Sequence, residues 1–266
     1  MKALSIGDMQ QRQLAILDAI DLFCKEHNLT YILIGGALLG AVREGKMIPW
    51  DDDIDIFMPR KDYRQFLKLF KDDNRFRLLD SSRVREYYYP FAKVCDAHTV
   101  MEENVDALGL RPLSCLGVGV DVFPLDNYPT QTKLSGSLRV LKQRALQGLC
   151  YRDFRYSNPS SVGFPVTAAL STYKRLAGLK GDCVNDYILA MDRLWGDCCS
   201  SDKVIDTWTY QVYSADGLLP TSQIVLEGKA YSAPRNCDKF LTECYGPDYM
   251  TPRNTQPEGH GVAYEL

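Results

Sequence analysis

The stretch Pro49-Trp50-Asp51-Asp52-Asp53-Ile54-Asp55-Ile56 places four carboxylates within five residues and then turns apolar. On a strand, alternate side chains share a face. The spacing therefore predicts Asp53 and Asp55 on one side, with Ile54 and Ile56 in the core. Carboxylates held close together repel one another unless a cation sits between them. Hard oxygen ligands of this kind suit Mg²⁺ or Mn²⁺, so the chemistry on offer is metal-assisted. The plain alternative is a solvated acidic turn ahead of a strand. Asp51 and Asp52 fit either a turn after Pro49 or a place behind the ligands, orienting one of them.

Upstream, Tyr31-Ile32-Leu33-Ile34 reads as a short buried strand. Gly35 and Gly36 follow, then Ala37-Leu38-Leu39, which favour helix. A strand, a glycine turn and a helix start make a phosphate cradle. Glycine lets backbone N–H groups come close, and the helix N-terminus adds partial positive charge. A lone Gly-Gly marks many tight turns. Gly-Gly with Asp-x-Asp within twenty residues says more, because one element holds phosphate and the other the metal that bridges to it.

Gly-Gly followed by Asp-x-Asp resembles the nucleotidyltransferase fold of the DNA polymerase beta type. The longer string from Gly36 through Arg43 and Trp50 to Ile56 is similar to the LicD family of phosphocholine transferases, whose core fukutin and fukutin-related protein share. The resemblance is specific over roughly residues 30–70 and resumes at Val120-Asp121-Val122-Phe123-Pro124-Leu125-Asp126. It is looser at Glu227-Gly228-Lys229 and at Tyr245-Gly246-Pro247-Asp248-Tyr249-Met250, where Pro247 interrupts the usual Tyr-Gly-Asp-Tyr-Met. The sixteen residues between the glycine pair and Asp53 are many for the wider superfamily but usual for LicD proteins.

Polymerase-beta-like transferases take a third carboxylate from a later strand, and Asp121 is the candidate here. Gly117–Phe123 reads as a strand ended by Pro124. An acid in such a strand is costly to bury without a partner, so it is either a metal ligand or an edge residue facing water. Asp126 fits a turn in Asp126-Asn127-Tyr128-Pro129.

The resemblance implies Mg²⁺-dependent transfer of phosphocholine from CDP-choline to a sugar hydroxyl of a glycan precursor, teichoic acid or lipopolysaccharide in type, with release of CMP. Asp53, Asp55 and Asp121 are then the catalytic and metal-binding residues. Gly35 and Gly36 meet the phosphates. Arg43 and Lys93 match basic positions of the family pattern and are candidates for phosphate contact, or ordinary surface charges. Trp50 is the best-placed aromatic for choline, which aromatic faces hold through cation–π attraction; Tyr87-Tyr88-Tyr89, Trp208 and Tyr210 are others, or core filler. Three alternatives stay open: a nucleotidyltransferase that releases pyrophosphate, a transferase using CDP-ribitol or CDP-glycerol, and a non-catalytic relative.

The elements that must position these residues form an α+β protein: a nucleotidyltransferase-type mixed sheet flanked by helices, with an added helical region. Helices are predicted over 6–28, with Leu14, Leu17, Ile20 and Phe23 on one face, and over Arg60–Lys71, with Tyr63, Phe66, Leu67 and Phe70 inward. Strands are predicted near 53–58, at Arg75–Leu79, at Tyr88–Cys95 and at Gly117–Phe123. The division expected is a catalytic core over 1–130, a helical subdomain over 131–200 broken at Ser157-Asn158-Pro159-Ser160, and a C-terminal segment over 201–266. That last segment returns to the core through Val225–Lys229.

At 266 residues the chain can bury a substantial core, and 45% hydrophobic with 24% charged residues is ordinary for a globular protein. No signal-peptide core and no membrane-spanning run stand out. The nine cysteines form no Cys-x-x-Cys pair, and Cys198-Cys199, Cys237 and Cys244 lack zinc spacing. They read as reduced thiols of a cytoplasmic protein. Residues 131–180 carry nine basic side chains against Asp153 alone, +8 in a chain of net −3. That is either a solvated face or a surface for an anionic partner, such as the inner face of a membrane or a lipid-linked glycan acceptor. Val166, Ala169, Leu170, Tyr173 and Leu176 add an apolar stripe. No nucleic-acid module accompanies the patch, and no nucleic-acid partner is expected.

Overall fold

The structure is a computed structural model that describes residues 1–85, 87–103, 113–129, 133–154, 164–181, 183–195, 201–252 and 261–266. The element order is β1 (Lys2–Ala3), α1 (Ile6–His27), β2 (Ile32–Ile34), α2 (Gly35–Glu44), β3 (Asp55–Pro59), α3 (Arg60–Leu69) and β4 (Phe76–Leu79). It continues with β5 (Ala92–Asp96), β6 (Thr99–Glu103), β7 (Gly119–Asn127), α4 (Lys133–Phe154), α5 (Phe164–Leu176) and α6 (Val184–Trp195). Then come β8 (Lys203–Asp206), β9 (Val212–Ser214), α7 (Ala215–Leu218), β10 (Ser222–Leu226), β11 (Lys229–Ala233), α8 (Cys237–Tyr245) and β12 (Gly261–Glu265). Arg155, the Ser157–Ser160 break and Cys198-Cys199 lie outside the described residues.

The fold is α+β. A mixed sheet runs in the order β2-β3-β7-β5-β4, and β8 and β9 extend it from β7. β3 and β7 are parallel; the other pairs are antiparallel. One face is mostly apolar: Ile56, Val122, Ala92, Val120 and Val94 are fully buried. The opposite face carries Asp55, Asp121 and Lys93 in register, then Phe57, Phe123 and Phe91.

Helix α1 starts as its sequence dictates. Ser5 and Asp8 form a capping box, satisfying backbone donors that would otherwise be orphaned. Ile16, Leu17 and Ile20 are completely buried, and α1 packs on β5 and β7. α3 packs on β3 and β7 with Tyr63 and Phe66 inward. The hairpin β10–β11 turns at Glu227 (φ 49°) and Gly228 (φ 79°), the two left-handed residues that a tight hairpin turn demands. It packs on α2 and β2.

Four details differ from the sequence expectations. Asp53 precedes β3, so only Asp55 of the pair sits on the strand. Pro124 does not end its strand: β7 continues to Asn127. Pairing with β5 stops at Val122 and pairing with β8 starts at Leu125, so the missing N–H falls between two partners. Asp126 is not in a turn either. It is fully buried in β7 and takes two bonds from the Arg60 guanidinium, at 2.7 and 2.5 Å. Finally, β5 begins only at Ala92, so Tyr88 is buried ahead of it rather than in it.

The basic region is helical. α4 packs on α5 and α6, and Leu170 of α5 approaches Gly148 of α4, where a Cβ would meet it at 3.5 Å. The apolar stripe of α5 is thus split: Leu170 and Tyr173 pack on the core, while Leu176 stands 80% exposed. Among the described residues no helix is long and apolar enough to cross a membrane.

Candidate active site

The turn from β2 into α2 makes room for carboxylates. Gly35 has φ +64°, and a Cβ there would lie 2.9 Å from Asp55 Oδ2. A Cβ on Gly36 would lie 1.9 Å from Asp51 Oδ2, which is overlap. α2 has no side-chain N-cap bond; Ile34 occupies the cap position. The anionic groups set against this N-terminus are therefore Asp51 and Asp55, and the helix dipole favours them there. The space that the sequence reading assigned to substrate phosphate is, in this structure, lined by the chain's own carboxylates.

Asp55 and Asp121 stand side by side on the parallel strands β3 and β7. Asp121 donates its backbone N–H to Ile54 O at 2.9 Å, which fixes the register. Lys93 faces Asp121 from β5, and its ammonium lies 2.8 Å from Oδ1 and 2.9 Å from Oδ2. Lys93 thus pairs with Asp121, and its charge also acts on Asp55. Burial, with the charges of Asp53, Asp121 and Asp51, pushes the Asp55 carboxyl well above the usual carboxylate range, and Lys93 only partly opposes this.

The acidic loop is fastened from elsewhere. Gln10 of α1 donates to Ile48 O and Asp51 O, both at 2.8 Å, and buried Gln13 donates to Asp52 O at 2.7 Å. Glu227 accepts the Met47 N–H at 3.0 Å and donates its own N–H to Gly45 O at 2.8 Å. Trp50 is half-buried in the turn next to Asp51. Arg43 does not meet the carboxylates: it donates to the carbonyls of Tyr249 and Thr251, tying α2 to the segment after α8.

Two groups of aromatics approach. Tyr89, Phe91 and Trp208 pack together, with ring centroids 5.0–6.2 Å apart, and the Lys93 ammonium lies 5.1 Å from the Tyr89 ring. Tyr210 instead lies under Arg144 of α4. Tyr245, at the end of α8, has its hydroxyl pushed up by burial and by the charges of Cys244, Asp55, Asp51 and Asp53. Sequence reasoning missed Gln10, Gln13 and Tyr245 as parts of the site. The only signal was the Tyr245–Met250 motif, whose first residue proves to face the acids.

A facing pair of carboxylates with a lysine thus stands beside a strand–glycine–helix turn on a mixed sheet. Residues 28–107 match the family described as LicD/FKTN/FKRP, nucleotidyltransferase domain. The chain is also 31% identical over 137 residues to the lipopolysaccharide cholinephosphotransferase LicD of Haemophilus influenzae, a match covering 50% of this chain and 49% of that protein. It therefore spans about half the length of the curated relative it matches.

Among the described residues no three His, Cys, Asp or Glu side chains already converge as a metal cage. The donor set nonetheless fits a hard divalent cation. It is all oxygen, and the charges of Asp53 and Asp121 add to burial in pushing the Asp55 carboxyl up.

Proposed function

We propose that this protein transfers phosphocholine from CDP-choline to a sugar hydroxyl of a lipopolysaccharide- or teichoic-acid-type glycan, on the cytoplasmic side of a membrane. The observation that carries this reading is the in-register Asp55–Asp121–Lys93 group, of which Asp55 and Lys93 lie in the segment that matches the family. The cholinephosphotransferase activity for which the Haemophilus relative is named supports the choline and the glycan.

Asp53, Asp55 and Asp121 would hold Mg²⁺ or Mn²⁺, and such a cation would supply positive charge for the diphosphate and the departing CMP. The acceptor oxygen attacks the phosphorus that bears choline, and the bond from that phosphorus to the CMP oxygen breaks. The hydroxyl proton passes to a carboxylate; Asp121 is the candidate, held in place by Lys93. Lys93 also sets positive charge beside the phosphates. Trp50 and the Tyr89–Phe91–Trp208 group offer faces for the quaternary ammonium. The basic helices add attraction to an anionic membrane surface or acceptor.

A thermal-shift screen with Mg²⁺ tests the donor. CDP-choline should raise Tm more than CDP-ribitol, CDP-glycerol or CTP, and a larger shift with CTP would favour nucleotide transfer instead. Binding at [L] of 100 Kd is worth about 2.7 kcal/mol, well within reach of such a scan.

A further inference from the structure

A cavity of about 150 Å³ lies between α3, the segment after β4, the Tyr89–Phe91 segment and α6. Asp55, Asp121 and Lys93 do not line it. Tyr89 and Phe91 belong to both places: they form part of its wall, and the Lys93 ammonium lies 5.1 and 5.6 Å from their rings. One water needs about 10–15 Å³ on this measure, so the space takes roughly ten waters, or one sugar ring with its hydroxyls.

The lining tells what kind of ligand fits. Arg60 and Arg64 are present, but both are already paired with carboxylates, Arg60 with Asp126 and Asp192 and Arg64 with Asp192 at 2.9 Å. The cavity is therefore not a free anion site. Asp80 is 96% buried; its Oδ2 is ion-paired with Arg83, whose Nε lies 3.4 Å away, but among the described residues it accepts no hydrogen bond. Its other oxygen accepts the N–H groups of Ser82 and Arg83. A buried carboxylate oxygen without a donor is costly, and a ligand hydroxyl would relieve it. Ser81 and Ser82 add hydroxyl partners, and Tyr89 and Phe91 give flat apolar walls. An acceptor-rich floor with aromatic walls suits a neutral, donor-rich ring.

We propose that this cavity binds a neutral saccharide unit, which, on the function proposed above, belongs to the acceptor glycan. Saturation-transfer NMR on the full chain with glucose, galactose and N-acetylgalactosamine tests it. At least one should show transfer, with Kd about tenfold weaker in Asp80→Asn. Transfer should vanish in Leu189→Trp, which fills the cavity from a residue 42% exposed and so leaves Tm close to that of the parent. No transfer from any sugar, or transfer unchanged in both variants, overturns the inference. The CDP-choline thermal shift reads the donor separately. A CDP-choline shift with no sugar signal overturns the cavity alone; a sugar signal in a protein blind to CDP-choline upholds the cavity and removes only its link to the acceptor.

Discussion

Gly36→Ala is the substitution whose outcome follows most directly from geometry. The new methyl would sit 1.9 Å from Asp51 Oδ2, 2.7 Å from Cγ and 2.9 Å from Oδ1, so the Asp51 carboxylate must leave. Its backbone is pinned by Gln10, so the side chain cannot simply move with the loop. Overpacking of this kind costs about 1–3 kcal/mol. The carboxylate also forfeits about 0.3–1 kcal/mol of interaction with the helix N-terminus. Alanine in place of glycine in a helix returns about 0.5–1 kcal/mol. The net is a loss of about 1–3 kcal/mol, and for a chain of this size each 1 kcal/mol lowers Tm by roughly 2–4 °C. Turnover should fall further, by about 10²-fold, since the displaced carboxylate crowds Asp53 and Asp55 and shifts them from their working positions. Scanning calorimetry and CMP release read the two effects. The Asp51→Ala background supplies the control: without the carboxylate, Gly36→Ala should be neutral or stabilising. An equal penalty in both backgrounds, or a Gly36→Ala protein with parental Tm and activity, refutes the reasoning.

Asp55→Asn should abolish transfer yet stabilise the metal-free protein. The folded carboxyl titrates above its unfolded value near 3.8, so as pH rises the unfolded chain sheds its proton first and folding stability falls. In EDTA the variant should therefore melt higher than the parent at neutral pH, with the advantage gone at and below about pH 4; a lower Tm at neutral pH would contradict this. For the basic helices, anionic but not neutral vesicles should co-sediment the protein at low salt, at about 1 kcal/mol per basic residue near the surface. Lys142→Glu/Arg175→Glu/Lys180→Glu, all exposed positions, should abolish that; indifference to anionic vesicles leaves the patch a solvated face.

What the sequence made legible was local. The 3.6-residue pattern of α1, the Ile54 and Ile56 alternation and the Gly-Gly turn each depend on neighbours a few positions away. Asp121 was legible as an acid stranded among apolar residues. What stayed hidden depends on partners far along the chain. Asp126 reads as a turn former until Arg60, 66 residues away, is seen to neutralise it. Pro124 reads as a stop because the change of strand partner from β5 to β8 leaves no local trace. Gln10 and Gln13 look like solvent-facing helix residues, and only the folded loop shows what they hold. The glycines were recognised as a cradle, but which anions would fill it depended on how the loop at 51–55 folds back.

The central claim is that the scissile bond lies on the nucleotide side of the choline-bearing phosphorus. Phosphorus NMR of a reaction containing the protein, CDP-choline, Mg²⁺ and a glycan acceptor reads this directly. The account predicts CMP and a phosphodiester of choline on the glycan, in equal amounts, with neither formed by Asp55→Asn. In a parallel reaction with CTP as donor, release of pyrophosphate with a nucleotide joined to the acceptor, while CDP-choline stays intact, would contradict it.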